Sequence, residues 1–281
     1  MTIRHQLRRE SLLGESPSRL NEIIAHKKQD LNRLKVQIPL EFYQVESATP
    51  RLIHSLRQKL DRDNHFHFIC EIKKASPSRG ILQKNFNPLK QARQYYAAGA
   101  AAISILTDEK YFLGKLEYLQ AIREIVDLPL LRKDFIIDRY QIHESRFYGA
   151  DLILLIARIL TKKQVAQFTS LATELGLEVL LELTDETDLN KIPSANHNII
   201  LGVNNRNLHT FEVNLENSLK LKPHLPENIP VISESGIATA ADCSLLHQHG
   251  FAGALIGESL MRASSPVTLL DEFRRGIAHA G

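Results

Sequence analysis

Tryptophan is absent from this chain of 281 residues, and cysteine and methionine occur only twice each. Cys70 and Cys243 lie far apart, so they can form neither a paired redox motif nor a zinc-type ligand spacing. Two isolated thiols suit a reducing compartment. Long apolar runs are also missing. The longest, Leu152–Ala157, falls far short of the ~20 residues that cross a bilayer. The opening residues, Met1–Glu10, hold no apolar core of a secretory signal. Charge of one sign is scarce too: the formal net charge is +3, and Lys and Arg are scattered rather than blocked. That pattern argues against a nucleic-acid or membrane-surface footprint. The expectation is a cytoplasmic protein without nucleic-acid or membrane partners, whose slight basic excess suits an anionic small molecule.

With 43% hydrophobic and 24% charged residues, the chain can bury a sizeable core. Residues 1–18 are polar and carry no diagnostic content. Leu20, Ile23, Ile24, Leu31 and Leu34 then fall on one helical stripe, with Lys27, Lys28 and Asp30 among the polar residues around it. A second helical stretch is expected around Arg51–Leu60, after a loop bounded by Pro39 and Pro50. From residue 65 strand-like and helical stretches alternate. Gly99, Gly149, Gly176 and Gly250 each precede an apolar run, as glycines ending a helix before the next strand do. Their spacings are near multiples of roughly 25 residues, the length of one βα unit. Strands are expected at about 66–73, 101–107, 129–134, 151–157, 178–183, 198–204, 230–235 and 253–257. Asn87-Pro88, Thr161-x-x-Gln164 and Thr239-x-x-Asp242 mark helix starts between them, and a last helix is expected near Val267–Ile277. Eight units in one run argue a (β/α)8 TIM barrel in a single domain, 1–281, with extension helices to about residue 62 and the barrel from about 63. A doubly wound open sheet is the alternative.

In such a barrel the chemistry sits at the carboxyl ends of the strands. Glu71 and Lys73 are two residues apart in a strand and so share a face. Lys133 ends the third strand, Glu182 sits inside the apolar run Leu180–Leu183, Asn204 and Arg206 follow the sixth, and Glu234 closes the seventh. One carboxylate at a strand end is ordinarily a solvated rim residue. Three carboxylates and two lysines converging on one mouth suggest acid–base chemistry without a metal or cofactor. Ser235-Gly236 and Gly257-Glu258 put glycine at the last two turns, where barrels commonly bind phosphate. The loop after the first strand, about Ala75–Phe86, is long enough to close as a lid. His65-Phe66-His67 has the look of a metal pair but lies at the amino end of its strand, where rim histidines are commoner. Cys70 is expected to face the helices.

These residues carry a resemblance. Glu71–Ser78, Leu106–Phe112, Leu131–Asp138, Gly202–Leu208, Ser233–Ile237 and Leu255–Met261 look, in this order, like the motifs of indole-3-glycerol-phosphate synthases, across about residues 19–265. The resemblance implies a metal-free and cofactor-free carboxy-lyase of tryptophan biosynthesis, often monomeric, with a helix before the barrel that helps cover the site. It implies Lys133 as general acid of ring closure, Glu182 in the later proton transfer, and Glu71 and Lys73 beside them. Glu234 would orient Lys133, and Asn204 and Arg206 would position the substrate. Ser76, Phe112, Phe135 and Leu208 would contact the substrate, the two phenylalanines around its anthranilate ring. Ser235, Gly236, Gly257 and the backbone of Glu258 would hold its phosphate. Two alternatives remain at this stage. A phosphoribosylanthranilate isomerase would need a Cys and an Asp as its acid–base pair, which the outward face of Cys70 argues against. A silent phosphate-binding scaffold would have no use for buried titrating carboxylates.

Overall fold

The computed structural model describes residues 19–47, 51–62, 65–77, 79–194, 198–207 and 212–278. Residues 1–18 and Leu208, the latter expected to contact substrate, lie outside the described residues. Eight strands, β1 (His67–Ile72), β2 (Ala102–Leu106), β3 (Leu130–Lys133), β4 (Leu152–Ile156), β5 (Glu178–Leu183), β6 (Ile199–Asn204), β7 (Val231–Glu234) and β8 (Gly253–Ile256), close into one parallel barrel. Each strand pairs with its sequence neighbour, and β8 returns to β1. The expected (β/α)8 TIM barrel is present, with strand ends moved by a residue or two.

Side-chain alternation explains the two core layers. Phe68, Cys70 and Ile72 of β1 join the shell packed under the helices, while Ile69 points into the lumen beside Leu131, Leu154, Leu180, Ile200, Ile232 and Leu255. With both faces buried, the strands read as apolar runs rather than as alternating ones. Gly99, Gly149, Gly176 and Gly250 all take positive φ. Asn87 accepts from Lys90 N, and both threonine capping boxes are formed. One unit is abbreviated: a 3-10 stretch, Glu186–Lys191, stands between β5 and β6 in place of a full helix.

The extension differs from expectation in two places. Helix α1 (Arg19–Gln37) is as expected, but the loop between Pro39 and Pro50 contains a helix, α2 (Leu40–Ser47). Tertiary packing makes it: Tyr43, 2% exposed, meets Tyr140 and Phe147 edge-on. The next helix, α3, runs Leu56–Arg62 rather than from Arg51. Residues 51–55 stay irregular because their polar groups bond to the barrel. Arg51 pairs with Asp151 at 2.8 Å, and His54 N donates to the same carboxylate. Leu56 and Leu60 of α3 join the lumen cluster, so α3 plugs the amino end of the barrel. Leu20 and Ile23 of α1 line a cavity at the other end.

Candidate active site

Strand register sets the level of the reacting groups. Leu106 pairs with Lys133, Ile156 with Glu182, Glu182 with Gly202 and Asn204 with Glu234. These inward side chains meet at the carboxyl end. Lys133 Nζ lies 3.1 Å from Glu182 Oε2 and 3.1 Å from Glu234 Oε2. Burial works against the charged ammonium. Glu182, Glu234 and Glu71 outweigh it and hold Lys133 well above the ordinary lysine range.

Glu234 is 1% exposed. Its oxygens make no aligned hydrogen bond, despite the ion pair with Lys133. Burial, opposed by Lys133 and reinforced by Glu182, pushes its carboxyl up to about 7. Glu71 differs because Lys73 and Arg206 are also close. Burial raises it, but Lys73, Lys133 and Arg206 prevail and hold it below its ordinary value. Glycine makes room for two of these carboxylates. A Cβ on Gly202 would stand 2.0 Å from Glu234 Oε1, and one on Gly257 would stand 2.2 Å from Glu71 Oε1. Gly257, expected as a phosphate contact, therefore also gives space to the acid beside Lys73.

Asn204 spends both ends of its amide on positioning. Nδ2 donates to Glu182 Oε1 at 3.1 Å, and Oδ1 accepts from Arg206 N at 2.9 Å. Above the charges opens a cavity of about 430 Å3. Ser76, Phe112, Phe135, Arg206, Ser235, Gly236, Gly257 and Glu258 all line it, together with Glu71, Lys73, Lys133, Glu182, Asn204 and Glu234. Every described residue expected in the site thus reaches one chamber. Phe112 and Phe135 stand 6.2 Å apart, centroid to centroid, on its apolar side.

Two loops shape the rim. The one after β1 folds into a short antiparallel hairpin, Ala75–Ser76 against Gly80–Ile81, and Arg79 Nε reaches Glu258 Oε1 at 3.3 Å. Glu258 also pairs with Arg262 at 3.2 Å. Ser235 has φ +67° and Gly236 φ +83°. Glycine accepts that region freely, whereas serine there stores roughly 1–3 kcal/mol of strain.

The cover over the site was only half legible. Lys27 is 11% exposed and reaches Asp108 Oδ2 at 2.9 Å and Asp134 Oδ1 at 2.8 Å. Burial opposes its charge, but Asp134 and Asp108 hold its proton on. Asp108 caps the short helix bearing Phe112, and Asp134 follows Lys133 and accepts from Phe135 N. Lys27 thus clips α1 to the two loops that carry the aromatic wall. Its signal was present in the sequence: it follows Ile23 by four and precedes Leu31 by four, inside the apolar stripe rather than beside it. Leu106, Leu154 and Ile156 also line the chamber and had no signal separate from ordinary strand residues. Among the described residues no group of three or more His, Cys, Asp or Glu could hold a metal, and no helix is long and apolar enough to cross a membrane.

Comparison with known proteins adds a family to this geometry. Residues 20–273 match the family model described as indole-3-glycerol phosphate synthase. A protein of that name from Neisseria meningitidis serogroup B is 48% identical over 248 residues, covering 87% of this chain and 94% of that protein. Another, from Alkaliphilus metalliredigens, is 42% identical over 258 residues, covering 92% and 98%. Among solved structures, 3-hexulose-6-phosphate synthase from Salmonella typhimurium superposes with a TM-score of 0.61 at 10% identity, covering 77% of this chain and all of that one. At that identity the likeness speaks for the barrel alone.

Proposed function

The chain belongs to the indole-3-glycerol phosphate synthase family, and from that premise we propose which of its residues carry the reaction. The activity is a carboxy-lyase step of tryptophan biosynthesis. It converts 1-(2-carboxyphenylamino)-1-deoxyribulose 5-phosphate to indole-3-glycerol phosphate, CO2 and water.

Ring closure joins the carboxylate-bearing aromatic carbon to the ketone carbon, and the ketone oxygen must take up a proton. Lys133 supplies it. The supporting observation is its ammonium held between Glu182 and Glu234, 3.1 Å from each, beneath an open chamber. The C–CO2 bond then breaks, and its electron pair restores the aromatic ring. Dehydration removes a ring proton and delivers another to the departing hydroxyl. Glu182, fixed by Asn204, serves this transfer, with Glu71 and Lys73 beside it. Lys73 and Arg206 meet the anionic substrate, Phe112 and Phe135 hold its aromatic ring, and Ser76 contacts its polar chain. The turns at Ser235-Gly236 and Gly257-Glu258 take the phosphate through backbone N–H groups. No metal or cofactor has a part in this scheme.

Given that substrate, the purified protein should generate indole fluorescence, which no tryptophan of its own obscures. A folded protein that produced none would sink the assignment. We infer that the enzyme works in the cytoplasm, as two isolated buried thiols suit, and as a monomer, as its family resemblance implies. Light scattering of the same preparation should then return a mass near 31.8 kDa, and twice that mass would exclude the monomer.

A further inference from the structure

Asn205 stands next to the site, yet it has nothing to offer a substrate. It is 3% exposed, and all of its polar groups are engaged. Its N–H donates to Glu234 O at 2.9 Å, and its carbonyl accepts from Asn214 N at 3.0 Å. Oδ1 accepts from Ser218 N at 3.0 Å, while Nδ2 donates to Ser233 Oγ and to Ser235 O, each at 2.9 Å. Ser218 and Ser233 are fully buried and bonded to each other at 2.7 Å. The amide is therefore held on one side by a rigid serine pair.

Two of these bonds bracket Ser235: one anchors the carbonyl before it, the other its own carbonyl. A trans peptide is planar, with C=O and N–H opposed. Anchoring both carbonyls therefore turns the N–H groups of Ser235 and Gly236 to the opposite side. Both residues line the chamber. The backbone held this way is one that serine avoids, at φ +67°. Without the two anchors Ser235 would relax toward the right-handed or extended regions.

We propose that Asn205 is a positioning residue for the phosphate-binding turn, holding Ser235 left-handed so that the N–H groups of Ser235 and Gly236 face the substrate phosphate. This rests on reading that turn as the phosphate site. Asn205 acts through Ser235, whereas its neighbour Asn204 acts through Glu182, so the two asparagines should separate kinetically. Asn204 belongs to kcat and Asn205 to binding of the phosphate end.

The test is steady-state kinetics with inorganic phosphate as a competitive inhibitor. Asn205→Asp keeps the acceptor for Ser218 N and loses the donor to Ser235 O, while the Ser233 hydroxyl can turn to donate to the new carboxylate in place of the bond it accepted. It should raise KM and the phosphate Ki together by about tenfold, the scale of one lost buried hydrogen bond, with kcat within about threefold. In a Ser235→Gly background left-handed φ carries no penalty, so the same substitution should raise the phosphate Ki less than about threefold. An unchanged Ki in Asn205→Asp, or an equal rise in both backgrounds, overturns the inference. If the native enzyme is not competitively inhibited by phosphate at all, the reading of the turn itself fails and the inference falls with it. Should Asn205→Asp not fold, Asn205→Ala goes through the same comparison, with melting temperatures recorded for each protein.

Discussion

The two ends of the barrel hold their buried carboxylates in opposite ways. At the amino end Asp151 is fully buried, and it accepts from Arg51 at 2.8 Å, Arg123 at 2.5 Å, Leu130 N at 2.9 Å and His54 N at 3.2 Å. Glu178 accepts from Ser55 and from the N–H groups of Leu56 and Arg57 at 3.0 and 3.1 Å. These N–H groups open helix α3, where they lack partners within the helix. Arg57 in turn donates to the carbonyls of Ile199 and Asn228. At the carboxyl end Glu234 has no aligned hydrogen bond, and Lys133 and Glu71 face an open chamber. Fully bonded carboxylates seal the lumen behind Leu56 and Leu60. At the other end the poorly bonded Glu234 carboxylate beside Lys133 keeps capacity for a substrate.

The difference is sharpest in what a single truncation should do. Lys133→Met should cost kcat roughly 10^2–10^4-fold, the contribution of a positioned proton donor, while the folded protein still binds substrate. Single-turnover fluorescence separates the two effects, and unaltered turnover would remove Lys133 from the mechanism. Stability should suffer less than at a sealed charge, because Glu234, whose carboxyl is already pushed up to about 7, can take up a proton when its cation is lost.

Asp151→Ala should do the reverse. It strips the half-buried Arg51 and Arg123 and the N–H groups of Leu130 and His54 of their shared buried acceptor, a loss of about 3–5 kcal/mol. The fraction that remains folded should turn over at the native rate. Urea melts read the first quantity and active-site titration the second. A large drop in kcat per folded molecule would mean that the two ends are not independent.

How far this division could be read from the sequence follows from the same physics. Glu71, Lys133, Glu182 and Glu234 were legible because charges in apolar strand runs stand out against their neighbours. Gly202 was not: its role is to leave space for Glu234, a residue far along the chain. The amino-end seal had no signal because Arg51, Ser55 and Arg57 lie in a stretch that reads as an ordinary amphipathic helix, whose polar residues look like any solvated face. Their partners Asp151 and Glu178 open their strands, where a solvated charge is ordinary. Helix α2 was missed because its stability comes from Tyr43 packing on Tyr140 and Phe147, not from its own periodicity. Lys27 shows the limit of a stripe read as apolar only, since the residue that fixes the cover is the one that breaks the pattern.

Glu234 should answer to pH in the way that marks its end of the barrel. Its carboxyl is pushed from the ordinary 4.5 up to about 7, so the folded protein binds this proton more tightly than the unfolded chain does. Below pH 4.5 both states are protonated and the group contributes nothing. Between pH 4.5 and 7 the unfolded chain gives up this proton while the folded state keeps it, so stability falls across that window by about 3 kcal/mol and levels off above it. Glu234→Gln removes that loss. The variant should be the more stable protein at pH 8 and converge on the native one toward pH 5, in urea melts across that range. Its kcat/KM profile should also lose an inflection near pH 7, because Lys133 would no longer feel a neighbour that titrates there. A variant less stable than the native protein at pH 8 would instead place Glu234 with Asp151, as a carboxylate kept for the fold.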